Sequence, residues 1–438
     1  MNKNVTNHKL PYFVWFMGAF FFFVDYIIRV SPSVLTPTLM QNFNVNAFAI
    51  GGFSAFFYYA YIGMQIPVGI LVDRFGPKWL LIFSTILCAL STFMFAEMVS
   101  ISMGFVCRFL MGFGAAFAFV GTLKLISIWF EAERFAFLAG LTQAMGMVGA
   151  MVGQGPMAMI YQSIGWHRAM YGLGIVLLLL SFFMFLFIKD KNNPLAHEHQ
   201  EKHTKVNIWK AIQIIFTNPQ SWLNCLFVGL LYSPTASFGE QWGASFLSLN
   251  QGISIEVAGH EIGMMFIGLA IGCPVLGFIS DRIKSRLLIM RSSTVVCFVM
   301  FTLIVYGNLL PGHEYLNPTV YTVLLFIYGF ANSGIVSSYA LASEINPRRL
   351  TGIALGVANM ASVIVGASMI PIVGFILDML WNGSIVNNMY IYDVSEYQIA
   401  FAALPIGLIV AFVITYFQKE TFCRPIPIST TLLVNDVV

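Results

Sequence analysis

Gly69-Ile-Leu-Val-Asp73-Arg74-Phe-Gly76-Pro77-Lys78 is a short polar hinge held between two long apolar runs. A partner follows far downstream as Gly277-Phe-Ile-Ser-Asp281-Arg282-Ile-Lys284-Ser-Arg286. The offset is 208 from Gly to Gly (277 − 69) and again from Asp to Asp (281 − 73). Each copy reads as an apolar helix ending in Gly-x-x-x-Asp-Arg, then basic residues, then a second apolar helix. Two copies of one hinge between runs of membrane length predict a duplicated membrane bundle, not a soluble domain.

Working outward, the composition supports the same reading. The 438 residues are 58% hydrophobic and 9% charged, with mean hydropathy +0.81. Soluble domains carry about a quarter charged residues, so that class is excluded. A net charge of +3 is too small to imply a nucleic-acid partner. The six cysteines show neither pairing nor ligand spacing, and most lie in apolar runs where Cys behaves as a small hydrophobe. Met1 to Lys9 lead into an apolar run with no small-residue cleavage site, so the first run reads as a retained span.

A crossing helix needs about 20 apolar residues. That rule predicts an all-α membrane protein with spans near 12–38, 47–71, 79–98, 103–130, 135–160, 168–188, 220–246, 258–280, 287–309, 318–343, 350–377 and 399–417. The expected organisation is a six-helix bundle over 1–188, a linker over 189–219, a second six-helix bundle over 220–417 and a tail over 418–438. Apart from Arg29, Arg108, Lys124 and Arg168, the 22 Lys and Arg fall on the side of both termini, which predicts cytoplasmic termini. His197, His199 and His203 in the linker invite a metal reading. A solvated linker is preferred, because no Cys or carboxylate cage accompanies them. Ile208 to Phe216 is amphipathic and suits the membrane surface. A second internal match, Gly140-Leu-Thr-Gln143 against Gly356-Val-Ala-Asn359 at an offset of 216, makes spans five and eleven equivalent.

Ionisable groups at membrane depth are expensive and mark pathways. Asp25 and Arg29 lie four apart and share one face of span one. Arg29 can fork onto a carboxylate or phosphate, and Asp25 can carry a proton; the alternative is a self-neutralising pair that fixes packing. Arg108 opens span four near the outer surface, where snorkelling to headgroups is the competing reading. Lys124 either binds an anion or snorkels past Trp129. Glu240, beside Gln241 and Trp242, is a proton site or an ordinary surface acid. Phe57, Tyr58, Tyr59 and Tyr61, with Gln65, on span two line a cavity or pack as belt residues. A carboxylate at a helix start caps free N–H groups, so Asp73 and Asp281 are expected to cap spans three and nine. No nucleotide loop, metal-ligand spacing or nucleophile elbow is visible, so no cofactor, metal or catalytic residue is expected.

The first hinge resembles the signature loop between the second and third helices of the major facilitator superfamily of transporters, and the second resembles its weaker echo. Arg108-Phe-Leu-Met-Gly112-Phe-Gly114 is similar to that family's arginine–glycine signature, tied there to proton handling. Gly149-Ala-Met-Val-Gly153-Gln154-Gly155-Pro156 resembles its glycine–proline motif, imperfectly, because Gln154-Gly155 intervene. The resemblance covers roughly 12–417. It implies two pseudo-symmetric six-helix bundles working by alternating access, with Gly69, Asp73, Arg74, Gly76, Lys78, Gly277, Asp281 and Arg282 as a conformational hinge. Asp25-x-x-x-Arg29-Val-Ser-Pro with Phe57-Tyr-Tyr is also similar to nutrient transporters of intracellular bacteria and to lysosomal dipeptide carriers. The expected function is proton-coupled movement of a small carboxylate-bearing solute (amino acid, short peptide or organic anion) across the bacterial inner membrane by a monomer. Arg29, Tyr58, Tyr61, Lys124, Gln143 and Asn359 are expected to bind the solute, and Asp25, Glu240 and Arg108 to couple it to H+. The competing readings are proton-coupled multidrug efflux and a transport-inactive sensor or scaffold.

Overall fold

The computed structural model describes residues 9–130, 132–188, 208–309, 317–347, 350–386 and 389–424. Most of the expected linker, including His197, His199 and His203, lies outside them, as do Arg348 and Arg349. Among the described residues, ten helices are long and apolar enough to cross a bilayer. Two further crossings are broken helices. Span five is Ala132–Gly153 followed by Gly155–Ile164, and span seven is Pro219–Pro234, Thr235–Trp242 and Gly243–Gln251. Together they make the twelve expected spans.

Span one is Lys9–Val30 continued by Pro32–Phe43, and spans two to four are Ala47–Phe75, Pro77–Ala96 and Ile101–Trp129. Span six is Trp166–Phe187, span eight Ile255–Ile283, span nine Arg286–Tyr306 and span eleven Thr351–Leu380. Span ten joins Pro318–Asn332 to Ile335–Glu344, and span twelve joins Val394–Phe401 to Ala403–Ile414. Strand structure among the described residues is one two-residue antiparallel ladder, Ile385–Val386 on Met389–Tyr390, so the all-α class stands. The amphipathic stretch forms a helix, Ile208–Thr217, with Ile215 packed on Leu350, Ala354 and Val357 of the span-eleven region.

Local chemistry sets the ends. Asn46, Ser100, Asn218, Ser285 and Asn317 each accept a first-turn N–H, and Pro77, Pro219 and Pro318 begin helices where a missing N–H costs nothing. Both hinge helices end at a positive φ, at Gly76 (+77°) and at Lys284 (+56°). These positions share the 208 offset (284 − 76). The expected capping by Asp73 and Asp281 is therefore corrected. Each aspartate sits in the last turn of the preceding helix, because the helix runs on until the positive-φ residue stops it. The start of span nine is capped instead by Ser285 and by Glu420 from the tail.

Glycine contacts give the helix directions. Gly149 and Gly153 of span five meet the Phe23 and Ile27 backbones, so spans one and five run parallel. Gly18 meets Thr122 while Arg108 reaches Ile28, so spans one and four run antiparallel. Gly104 and Gly112 meet Phe53 and Phe57, so spans two and four run parallel, and Gly259 and Gly263 meet Gly155 and Met151, so spans five and eight run antiparallel. Both hinges consequently lie at the end where span one begins, here termed the hinge end.

Candidate functional site

Small residues bring the charged helices close. A side chain at Gly112 would collide with the Phe57 carbonyl, and one at Gly149 with the Phe23 carbonyl. Spans four and five therefore touch the backbones of spans two and one, as small residues permit inside membrane bundles.

At this junction Arg29 donates to Asp25 at 3.1 Å, with both residues at least 96% buried. The Arg29 guanidinium lies over Tyr26 (4.2 Å), Tyr61 (4.7 Å) and Phe57 (5.4 Å). Arg108 is 1% exposed, so the snorkelling reading is overturned. It points into the bundle, donating to the Ile28 and Arg29 carbonyls at 2.9 and 3.1 Å and facing Phe57 at 4.7 Å. Those carbonyls stand just before the break at Ser31, where the helix ladder has acceptors to spare. Both buried guanidiniums thus lie against the Phe57 ring, and aromatic rings suit such weakly hydrated cations.

Glu240 is buried as well, which removes the surface-acid reading. It accepts hydrogen bonds from Tyr58 of span two and, at 2.6 Å, from Tyr232 of its own span. Tyr59, by contrast, is 45% exposed and belongs to the outer face of the bundle. The site so far is two guanidiniums and two carboxyl groups enclosed by tyrosines. Two buried donors in it have no partner, Arg29 Nε and Arg108 Nε, and Gln65 Nε2 on span two is likewise without one. Buried donors are ordinarily satisfied, so this surplus points to an acceptor-rich visitor.

The other expected site residues are dispersed. Lys124 is half-buried and sixteen residues beyond Arg108, about 24 Å toward the hinge end. Gln143 is half-buried beside Thr142, which accepts from Trp15 at 2.9 Å. Asn359 accepts from Tyr339 at 3.4 Å in the other half of the chain. At the hinges Arg74 is exposed, and Lys78 lies 5.3 Å from the Trp79 ring and 5.8 Å from Phe185. Asp281 binds Arg286 at 2.6 Å, Glu344 binds the same guanidinium at 2.8 Å, and Arg282 is exposed. Among the described residues no cluster of three or more His, Cys, Asp or Glu could hold a metal.

Polar ties between the halves gather at the end opposite the hinges. Gln241 accepts from Ser54 (2.5 Å) and donates to Thr36 (2.9 Å), and Gln154 donates to the Gly239 carbonyl (2.9 Å). Asp378 of span eleven accepts from the first N–H groups of span two, Ala47 (3.1 Å) and Phe48 (2.9 Å). Sequence reasoning missed Tyr232, Ser54, Thr36 and the role of Gln154. An uncharged residue in an apolar helix carries no signal of which neighbour it meets.

Comparison with known proteins agrees with this architecture. The family model described as Major Facilitator Superfamily matches residues 14–371. The probable galactarate/D-glucarate transporter GudP of Bacillus subtilis (strain 168) is 21% identical over 409 residues, covering 86% of this chain and 88% of that protein. The probable sulfoacetate transporter SauU of Cupriavidus necator is 24% identical over 282 residues, covering 60% of this chain and 64% of the relative. The crystal structure of a bacterial homolog of the human lysosomal transporter Spinster, inward-facing and occupied, superposes with a TM-score of 0.77 at 13% identity over 94% of this chain and 97% of that one. With the family model spanning most of its length and the twelve-helix fold in place, the chain belongs to the major facilitator superfamily and is a secondary transporter, not an enzyme.

Proposed function

We propose that the protein carries a small organic anion together with protons, binding it between Arg29 and Arg108. The observation that carries this reading is the pair of buried guanidiniums whose Nε groups have no acceptor. A carboxylate or sulfonate supplies several acceptor oxygens and matches the planar donor fork of Arg. Gln65 Nε2, one turn from Tyr61, adds a neutral donor. Relatives named for sulfoacetate, galactarate, D-glucarate and L-galactonate fit this class better than an amino acid or a peptide. A lipophilic cation, as in drug efflux, would meet two guanidiniums of its own sign.

The charge count argues for coupling. Arg29 and Arg108 are offset by Asp25 and Glu240 when both acids are ionised, so the buried quartet is neutral. Adding an anion leaves uncompensated charge in a low-dielectric site, which is costly unless protons arrive with it. Asp25, which competes with the anion for Arg29, and Glu240 are the carriers. The six-helix bundles over 1–188 and 220–417 rock about this site, and the basic hinge end is cytoplasmic. The end where the ties between the halves gather is the closed one in this reading, and the hinge end is the side to which the site opens.

Proteoliposome uptake tests this reading. D-Glucarate or sulfoacetate should accumulate under an imposed inward proton gradient and not without one, and Arg29→Gln should abolish accumulation. Uptake of lysine-rich peptides or lipophilic cations in preference to these acids would overturn it.

A further inference from the structure

We propose that the π-helical segment Thr235–Trp242 is the latch of the closed end, and that this end opens when the segment shifts to α-helical register. The segment is defined by the Gly243 N–H donating to the Phe238 carbonyl, an i→i+5 bond that holds one residue more than an α-turn. All eight of its residues are buried. Three consecutive residues within it reach three different helices of the other half. The Gly239 carbonyl is held by Gln154 of span five, the Glu240 carboxylate by Tyr58 of span two, and the Gln241 amide by Ser54 of span two and Thr36 of span one. The next residue, Trp242, donates to the Ile370 carbonyl of span eleven at 3.0 Å and so anchors the segment to its own half.

Gly239 within the segment and Gly243 just after it fit the wide turn. A side chain at Gly239 would strike the Met265 methyl, and a Cβ at Gly243 would lie 2.6 Å from the Phe238 carbonyl oxygen. The Ser237 hydroxyl is buried without a partner in this register. In an α-helix it would find one in the carbonyl four residues back, as Thr85 and Thr294 do in spans three and nine. Resolving the surplus residue rotates everything on one side of it by about 100° relative to the other. Such a rotation withdraws Gly239, Glu240 and Gln241 from their four partners in a single step. Pro234 immediately before the segment fixes where that rotation stops.

Deletion of Ala236 in the full-length protein removes the surplus residue. Nitroxide pairs at Val99→Cys and Leu309→Cys, 86% and 66% exposed on opposite halves of the closed end, read the separation in a cysteine-free background. The deletion should move the distance distribution to longer values without any ligand. Gly243→Ala, which crowds the π-turn but suits an α-helix, should do the same and serves if the deletion does not fold. Gln154→Leu and Gln241→Leu, which cut single ties and keep the register, should give a smaller shift in the same direction. An unchanged distribution in the folded deletion or in Gly243→Ala, or point variants that open the end as far as the register variants, would overturn the proposal. No solute is added, so failure here is separable from failure of the anion reading.

Discussion

The two ends of spans two, five and eleven use the same residue type to opposite effect. At the closed end Gly51 stands 2.9 Å (by the Cβ it would carry) from the Ile370 carbonyl, Gly374 stands 2.5 Å from that of Ala47, and Gly259 faces the Gly155 backbone at 2.9 Å. At the hinge end Gly69 of span two, Gly140 of span five and Gly356 of span eleven have nothing within 4 Å of the same point. Close backbone approach is what small residues supply in membrane bundles, where no hydrophobic force draws helices together. If the chain alternates as proposed, these open glycines are the packing surface of the opposite state. A single rigid structure would have no use for it.

The sharpest way to break this comparison is to fill one glycine at each end. Gly374→Leu and Gly356→Leu should each lower transport by about 5- to 150-fold, because an overpacked contact costs about 1–3 kcal/mol and biases a two-state equilibrium accordingly. Closed-end spin-label distances should separate them: longer in Gly374→Leu, unchanged in Gly356→Leu. Free transport in Gly356→Leu would mean the hinge end never closes on that face.

A smaller effect is expected at Asp378. Its carboxylate caps a helix belonging to the other half and also accepts from Tyr392 at 2.5 Å. Asp378→Ala should destabilise the closed end by about 1–2 kcal/mol, the usual worth of a lost N-cap. Tyr392→Phe should cost less, since both backbone donors remain. Both are read as lengthened closed-end distances, and an Asp378→Ala distribution identical to the parent would remove this carboxylate from the latch.

The smallest effect compares the hinges themselves. Arg286 is gripped by Asp281 and Glu344, and Glu420 accepts from Ser285 (2.6 Å) and from the Arg286 and Leu287 N–H groups (3.0 Å each). At the first hinge Lys78 rests on two aromatic rings. Burial works to raise the Glu420 carboxyl, but the hydrogen bonds from Ser285, Arg286, Leu287 and Phe422 outweigh it and hold it below the usual range. Glu420→Gln should cost about 1 kcal/mol, limited because the group is partly exposed and screened. A depressed folded-state value means the contribution is present above the unfolded carboxyl value of about 4.3 and is lost as pH falls through the folded one. The deficit of the variant, measured by thermal unfolding, should therefore be full near neutrality and vanish in acid.

Much of this was readable in the sequence. Hydropathy located twelve spans, and the repeated 208 offset located both hinges. Their internal geometry was not readable. Whether Asp73 ends one helix or begins the next depends on which residue takes a positive φ, and Lys284 does so without glycine's advertisement. The two readings of Arg108 could not be separated in sequence because its position along span four gives depth and not direction, and direction is set by Gly112 closing onto span two. The π-segment has no compositional signature, since Thr-Ala-Ser-Phe-Gly-Glu-Gln-Trp suits an ordinary helix equally well. Lys124 and Gln143 lie away from the Arg29–Arg108 cluster, a separation that residue type alone does not reveal.

Calorimetric titration of the purified protein with D-glucarate, in two buffers of different ionisation enthalpy, counts protons taken up on binding. If the Arg29–Arg108 pair holds the anion within a neutral quartet, binding takes up at least one proton and Arg29→Gln removes the heat. Binding with no proton uptake, undiminished in Arg29→Gln, would contradict it.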